Sequence, residues 1–242
     1  MISEFKQGLK DGIPIALGYL SVSFGFGILA LKDGLSALEA VITSALNITS
    51  AGQLAGIGII AAGRTLAEMA LTQFIINLRY ALMSLSLSQK MPSDATVGKR
   101  LLIAFANTDE VFAVAMARNK ELTVKYILGL QLLPVLGWIA GTAAGAVLSD
   151  ILPKALCSAL SVALYGMFVA IVIPAAKKSR PVAFVASISL CLSCVLYYVP
   201  LFKNVSTGIA VIICTVAAST AGALCFPTYE KDERGTKEEA IK

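Results

Sequence analysis

The amino-acid sequence predicts an all-α polytopic membrane protein with about eight transmembrane helices. Of the 242 residues, 57% are hydrophobic and only 14% are charged, and the mean hydropathy is +0.80. Soluble domains contain about a quarter charged residues, and a soluble chain of this length could not bury so much apolar surface. Apolar runs long enough to cross a bilayer core as helices recur along the chain. They lack the period of two that a membrane β-barrel requires.

Eight apolar runs account for the predicted spans. They cover residues 12–31, 36–62, 65–88, 101–117, 123–149, 155–176, 181–199 and 205–226. The first run follows Lys6 and Lys10 but is too long for the apolar region of a typical signal peptide, so we expect a retained membrane helix. The second run is polar and rich in glycine, and the fourth is short. Seven full crossings plus one broken or re-entrant segment is therefore the alternative count.

Basic residues in the short loops predict the orientation. The two strongest clusters are Lys177, Lys178 and Arg180, and Arg118, Lys120 and Lys125. Cytoplasmic loops of membrane proteins carry an excess of lysine and arginine, so we expect both clusters and both termini to be cytoplasmic. The loop with Lys90, Lys99 and Arg100 then lies outside, against the same rule.

Residues 1–227 are predicted to form a single transmembrane domain. Residues 228–242 carry charges of both signs and almost no apolar side chains, so we expect a disordered cytoplasmic tail. Segments 12–62 and 153–199 each contain an early proline, an apolar helix, a basic loop and a second helix. An inverted repeat, which is common in secondary transporters, is one interpretation of this pattern.

Charged residues interrupt two of the apolar spans. Arg79 lies within FIINLRYALMSLSLS, and Asp109 and Glu110 lie within FANTDEVFAVAMA. A charge at the bilayer centre costs about 2.5–3.5 kcal/mol on insertion scales, and pairing lowers that cost. We therefore expect Arg79 to pair with one of the two acids. A pair that only fixes helix register is one interpretation; a site where arginine holds a substrate carboxylate and an acid takes a proton is the other.

A polar segment interrupts the second span. NITSAGQLAG contains the candidate substrate-binding residues Asn47, Ser50, Gly52 and Gln53. Hydroxyl and amide side chains can bond backbone groups that an unwound helix leaves free, and broken helices bind substrates in secondary transporters. A continuous helix with one polar face is the alternative.

Other features indicate packing rather than chemistry. Gly137, Gly141 and Gly145 form a strip on one helix face, which lets two helices approach closely in lipid. Pro134, in the same span, is expected to kink it. The chain has no histidine, and its five cysteines lie in or beside apolar runs. These features disfavour an enzyme and predict no metal, no cofactor and no nucleic-acid partner.

Four segments resemble the AzlC family, the large subunits of branched-chain amino acid exporters. They are GIPIALGYLSVSFGFGILA at 12–30, SALNITSAGQLAG at 44–56, NLRYALMSLSL at 77–87 and ANTDEVFAV at 106–114. The motif positions that the resemblance carries over are Gln53, Asn77, Arg79, Thr108, Asp109 and Glu110. Tyr80 stands where members of the family often have histidine.

The resemblance implies a plasma-membrane exporter of neutral hydrophobic amino acids such as valine, leucine and isoleucine. It also implies a small membrane partner of the AzlD type. Asn77 and Thr108 join the candidate substrate-binding residues on this basis, and proton coupling through Asp109 or Glu110 is a hypothesis. The alternative function is a scaffold or assembly subunit whose buried ion pair is purely structural.

Overall fold

A computed structural model describes residues 3–92, 95–118, 120–149 and 151–227. Ten α-helices occupy these residues. They are α1 (Glu4–Lys32), α2 (Ala37–Leu46), α3 (Ser50–Ala61), α4 (Leu66–Gln89), α5 (Val97–Phe105), α6 (Asp109–Ala117), α7 (Val124–Leu148), α8 (Lys154–Lys178), α9 (Arg180–Tyr198) and α10 (Thr207–Cys225). The prediction of an all-α membrane protein is confirmed. The predicted tail, 228–242, lies outside the described residues.

Each predicted span corresponds to a helix or to a pair of short helices. Among the described helices, α1, α7, α9 and α10 are long and apolar enough to cross a membrane. Helices α4 and α8 have comparable lengths, 24 and 25 residues. The second span is the pair α2 and α3, interrupted at residues 47–49. The polar segment therefore breaks the helix, and the alternative of a continuous helix with one polar face is wrong.

The fourth predicted span is also broken, which the sequence analysis did not anticipate. Helix α5 ends at Phe105 and α6 begins at Asp109. Thr108 caps the new helix, since its hydroxyl accepts a hydrogen bond from the Val111 amide over 3.4 Å. At about 1.5 Å per residue, these nine-residue helices are about half as long as a bilayer core is thick.

Helices α1 and α7 form the central contact of the first compact unit, residues 1–171 and 206–212. Glycines allow their backbones to touch: a Cβ added at Gly137 would lie 2.7 Å from the carbonyl oxygen of Ala16. Gly141 and Gly145 face the α1 backbone in the same way, at Leu20 and Phe24. The predicted glycine strip is thus a packing surface. Helix α7 continues through Pro134 without a break.

Local sequence signals explain where several of the helices begin. Ser36 and Glu39 form a reciprocal capping box at the start of α2. The hydroxyls of Thr65 and Thr123 accept hydrogen bonds from the third residue of α4 and α7, Glu68 and Tyr126. These caps satisfy amide groups that a helix start otherwise leaves unpaired.

Among the described residues, the second compact unit comprises 172–205 and 213–227. Its described part contains all of α9, in which no residue is buried. Phe184 and Phe226 pack edge to face, with ring centroids 5.4 Å apart. Tyr197 and Tyr198 are 79% and 76% exposed at the end of α9. Aromatic side chains are enriched at membrane interfaces, where one end is apolar and the other wet.

Candidate functional site

Two helix breaks and three long helices supply every candidate residue, all within the first unit. The first break separates α2 from α3, and the second separates α5 from α6. Helix α4 contacts both α3 and α6 near their first residues. In addition, α1 bonds α6, and α7 bonds α3. Residues far apart in sequence therefore meet around two helix starts.

At the first break, the start of α3 lacks a side-chain cap. The Thr49 hydroxyl donates a hydrogen bond to Oδ1 of Asn47 over 2.6 Å instead of capping the helix. Ser50 is the first residue of α3. Amide groups at an uncapped helix start, together with the helix dipole, favour an anionic group.

Helix α4 packs its amide side chains against this helix start. Gln73 Nε2 donates to the Gly52 carbonyl over 2.7 Å, and Asn77 Nδ2 donates to Gln73 Oε1 over 3.1 Å. A Cβ at Gly52 would lie 2.7 Å from Gln73 Oε1. Glycine therefore permits the close approach of α3 and α4. Asn77 Oδ1 is buried and has no hydrogen-bond partner among the described residues.

Gln53, a candidate substrate-binding residue, is completely buried and its amide is already engaged. Its Nε2 donates to the Ser44 hydroxyl over 2.9 Å, and its Oε1 accepts from the Trp138 indole over 2.9 Å. Ser44 and Thr142 also share a hydrogen bond, 2.7 Å long. In this conformation Gln53 joins α2, α3 and α7, and contact with a substrate would require this cluster to open.

At the second break, Arg79 forms an ion pair with Asp109. The Nη1 and Oδ2 atoms are 2.6 Å apart, and the side chains are 44% and 37% exposed in the isolated chain. Arg79 Nη2 also donates to the Tyr80 hydroxyl over 2.9 Å. Asp109 is the first residue of α6 rather than the middle of a continuous helix. Its carboxylate therefore also interacts favourably with the helix dipole.

Glu110 does not pair with Arg79. Its Oε2 accepts a hydrogen bond from the Tyr19 hydroxyl, 2.5 Å away on α1. Tyr19 is 7% exposed, and its ring packs edge to face on Trp138 with centroids 5.2 Å apart. The two acids point to different neighbours because successive helical residues diverge by about 100°. We expected Arg79 to pair with one of the two acids, and the acid in the ion pair is Asp109.

Asn107 completes the second break. Its Nδ2 donates to the Ser84 hydroxyl of α4 over 3.1 Å, and its Oδ1 is buried with no partner among the described residues. The next residue, the predicted site residue Thr108, is also buried and caps α6. The interruption between α5 and α6 therefore lies beside a buried acceptor that has no partner among the described residues.

Tyr19, Ser44, Asn107 and Trp138 are among the site residues that the sequence patterns did not predict. Weak signals exist for two of them. Asn-Thr-Asp-Glu is a helix-start pattern inside an apolar run, and Trp138, the only tryptophan, lies beside the first glycine of the α7 strip. Tyr19 and Ser44 look like ordinary span residues until their distant partners are known.

Comparisons with known proteins match this part of the chain. A family model described as AzlC protein matches residues 14–152. The "Inner membrane protein YgaZ" of Escherichia coli is 34% identical over 148 residues, which is 60% of this chain and 60% of that protein. An "Uncharacterized membrane protein" of Archaeoglobus fulgidus is 31% identical over 222 residues, 91% of this chain and 93% of that protein. No solved structure matches.

Proposed function

Because the chain belongs to the AzlC family, we propose that it is a secondary transporter that exports branched-chain and other neutral hydrophobic amino acids. The observation that carries this proposal is that α4 joins both helix breaks. It places Asn77 beside Gly52 at the start of α3 and Arg79 on Asp109 at the start of α6. Broken helices near charged groups are the usual form of a substrate site in secondary transporters.

Together, the two breaks offer groups for both charged ends of an amino acid. The uncapped start of α3 and the Arg79 guanidinium can bind the carboxylate. Asp109 can accept hydrogen bonds from the ammonium group. Asn47, Ser50, Gly52, Asn77 and Thr108 surround these groups as further substrate contacts, while Gln53 holds the first break in shape.

Partial exposure of the ion pair supports a second subunit. Arg79 lies near the middle of α4, where large apolar side chains are also exposed: Leu71, Phe74, Leu78, Leu82 and Leu85. A charge that faces lipid at this depth costs several kcal/mol, so a covering protein stabilises it. We assign that role to a small AzlD-type membrane subunit. Co-purification of the two chains from detergent, with α4 protected from crosslinking to lipid, is the corresponding test.

Efflux measurements test the transport proposal. Cells that lack and cells that contain this chain with its small subunit are preloaded with radiolabelled valine or leucine. The expected result is faster loss of radiolabel from intact cells when both chains are present in the plasma membrane. Equal efflux rates from cells with and without the two chains, for every branched-chain amino acid and for methionine, would reject the transport proposal.

A structural scaffold is the second candidate function. The satisfied Gln53 cluster favours it, because its hydrogen bonds close within the protein. Arg79→Gln and Asp109→Asn distinguish the two functions. If both variants are produced at normal levels and still protect cells from a toxic amino-acid analogue, the charges serve structure alone.

A further inference from the structure

Asp109 and Glu110 are neighbours with different partners. Asp109 is 2.6 Å from the Arg79 guanidinium, whereas Glu110 is 2.5 Å from a neutral phenol, Tyr19. Among the described residues, no lysine or arginine lies within ion-pair distance of Glu110. One acid is therefore neutralised by a fixed cation, and the other is not.

Arg79 is already paired with Asp109, and no lysine or arginine among the described residues forms an ion pair with Glu110. Helix α1 presents Tyr19, which bonds Glu110, and α4 presents Arg79, which bonds Asp109 and the Tyr80 hydroxyl. The titratable residues of α7, Lys125 and Tyr126, lie in its first turn, where Tyr126 bonds Asp11. Glu110 is half-buried, and a carboxylate at membrane depth is costly unless it is paired or neutralised; a proton can supply the neutralisation that no described lysine or arginine provides.

The Tyr19 hydroxyl can serve both protonation states of Glu110. A phenol donates to a carboxylate and can accept from a carboxylic acid. Binding of a proton forms an O–H bond on the carboxyl group, and release to the other side of the membrane breaks it. No electron transfer and no further reactant are involved.

Tyr19 also connects Glu110 to the first helix break. Its ring packs on Trp138, whose indole bonds Gln53 in α3. Gln53 in turn bonds Ser44 in α2. A change in the Tyr19–Glu110 hydrogen bond therefore reaches, through buried contacts, both half-helices that flank residues 47–49.

From this geometry we infer that Glu110 carries the coupled proton and that Tyr19 and Trp138 link it to the α2–α3 break. Asp109 acts as the partner of Arg79 and does not carry the proton. This inference rests on the proposed transport function and assigns its two neighbouring acids different roles.

Proteoliposomes that contain the chain with an AzlD-type subunit separate two modes of transport. Exchange of labelled for unlabelled leucine at equal pH on both sides needs substrate binding but no net proton movement. Accumulation of labelled leucine under an imposed pH gradient needs both substrate binding and net proton movement. The variants are Glu110→Gln, Tyr19→Phe and Asp109→Asn. The matched control is Glu39→Gln, since glutamine preserves the capping box at the start of α2.

Glu110→Gln is expected to keep exchange within about twofold and to lower accumulation at least tenfold, which corresponds to about 1.4 kcal/mol. Tyr19→Phe removes one hydrogen bond to a charged group and should lower accumulation about tenfold with exchange retained. Asp109→Asn should lower both modes together. Glu39→Gln should change neither.

Three results would overturn the inference. They are normal accumulation of leucine by Glu110→Gln, loss of exchange as well as accumulation in Glu110→Gln, and loss of accumulation alone in Asp109→Asn. Unchanged accumulation in Tyr19→Phe would show that Tyr19 does not connect Glu110 to the α2–α3 break. Absence of exchange by the unmodified complex would instead reject the transport proposal, and the inference with it.

Discussion

The indole N–H of Trp138 donates a hydrogen bond to Oε1 of Gln53 over 2.9 Å, and the two side chains are 2% and 0% exposed. This contact joins α7 to the first turn of α3, directly after the first helix break. It also occupies the acceptor of the glutamine that the family resemblance marks as functional. The break is therefore held by a buried polar cluster rather than by apolar packing alone.

Replacing Trp138 by phenylalanine should destabilise the protein. The change leaves Gln53 Oε1 buried without a donor, which costs about 1–3 kcal/mol. Thermal unfolding in detergent should show the loss. Tyr197→Phe is the control, since Tyr197 is 79% exposed; a similar loss in both variants would contradict this explanation.

Gly137→Ala should weaken the contact between α1 and α7. The added Cβ would lie 2.7 Å from the Ala16 carbonyl oxygen, so the backbones must separate, at an expected cost of about 1–3 kcal/mol. Gly18→Ala in α1 is matched, because a Cβ there meets no atom within 4 Å. Both changes raise helix propensity equally, so unequal unfolding temperatures report packing. Equal temperatures would count against the predicted clash.

Gly52→Ala should impair export without unfolding the protein. The Cβ would lie 2.3 Å from the Thr49 hydroxyl oxygen and 2.7 Å from Gln73 Oε1, so the hydroxyl before α3 and the amide on α4 must both move. Their displacement would disturb the start of α3, and we expect efflux to fall about tenfold, equivalent to about 1.4 kcal/mol. In Gly58→Ala, on the same helix, the Cβ meets nothing within 4 Å. Normal efflux in both variants would place the substrate away from Gly52.

Exchanging the charges of Arg79 and Asp109 separates structure from transport. The single variants Arg79→Asp and Asp109→Arg place two like charges together, so both should lower protein yield. The double variant restores an ion pair and should restore yield. It should not restore efflux, because the guanidinium that we propose binds the substrate carboxylate has moved from α4 to α6. Recovery of both properties would favour the scaffold function.

Reporter fusions test the predicted orientation. A fluorescent protein that matures only in the cytoplasm, fused after Ser179, should be bright, because Lys177 and Lys178 end α8 beside it. Alkaline phosphatase at the same position should be inactive. The opposite pattern would invert the topology, and with it the assignment of both termini to the cytoplasm.

Local sequence patterns predicted the helices well and their interruptions incompletely. Polar residues at 47–53 indicated the first break because several of them occur together. The second break was missed, since Asn107 and Thr108 are only two polar residues before the acids in an otherwise apolar run. Only the cap at Thr108 and the new helix start at Asp109 reveal it.

The sequence by itself determined that the chain is a helical membrane protein, that its apolar runs are helical, and that Arg79 requires an acidic partner. Those conclusions follow from the free energy of placing residues in hydrocarbon, which depends on residue type and spacing along the chain. Only the tertiary structure decided that Arg79 forms its ion pair with Asp109 and that Tyr19 donates its hydrogen bond to Glu110. These two pairings join residues that are 30 and 91 positions apart in the sequence. They also depend on the packing of α1 against α7, which no local periodicity specifies.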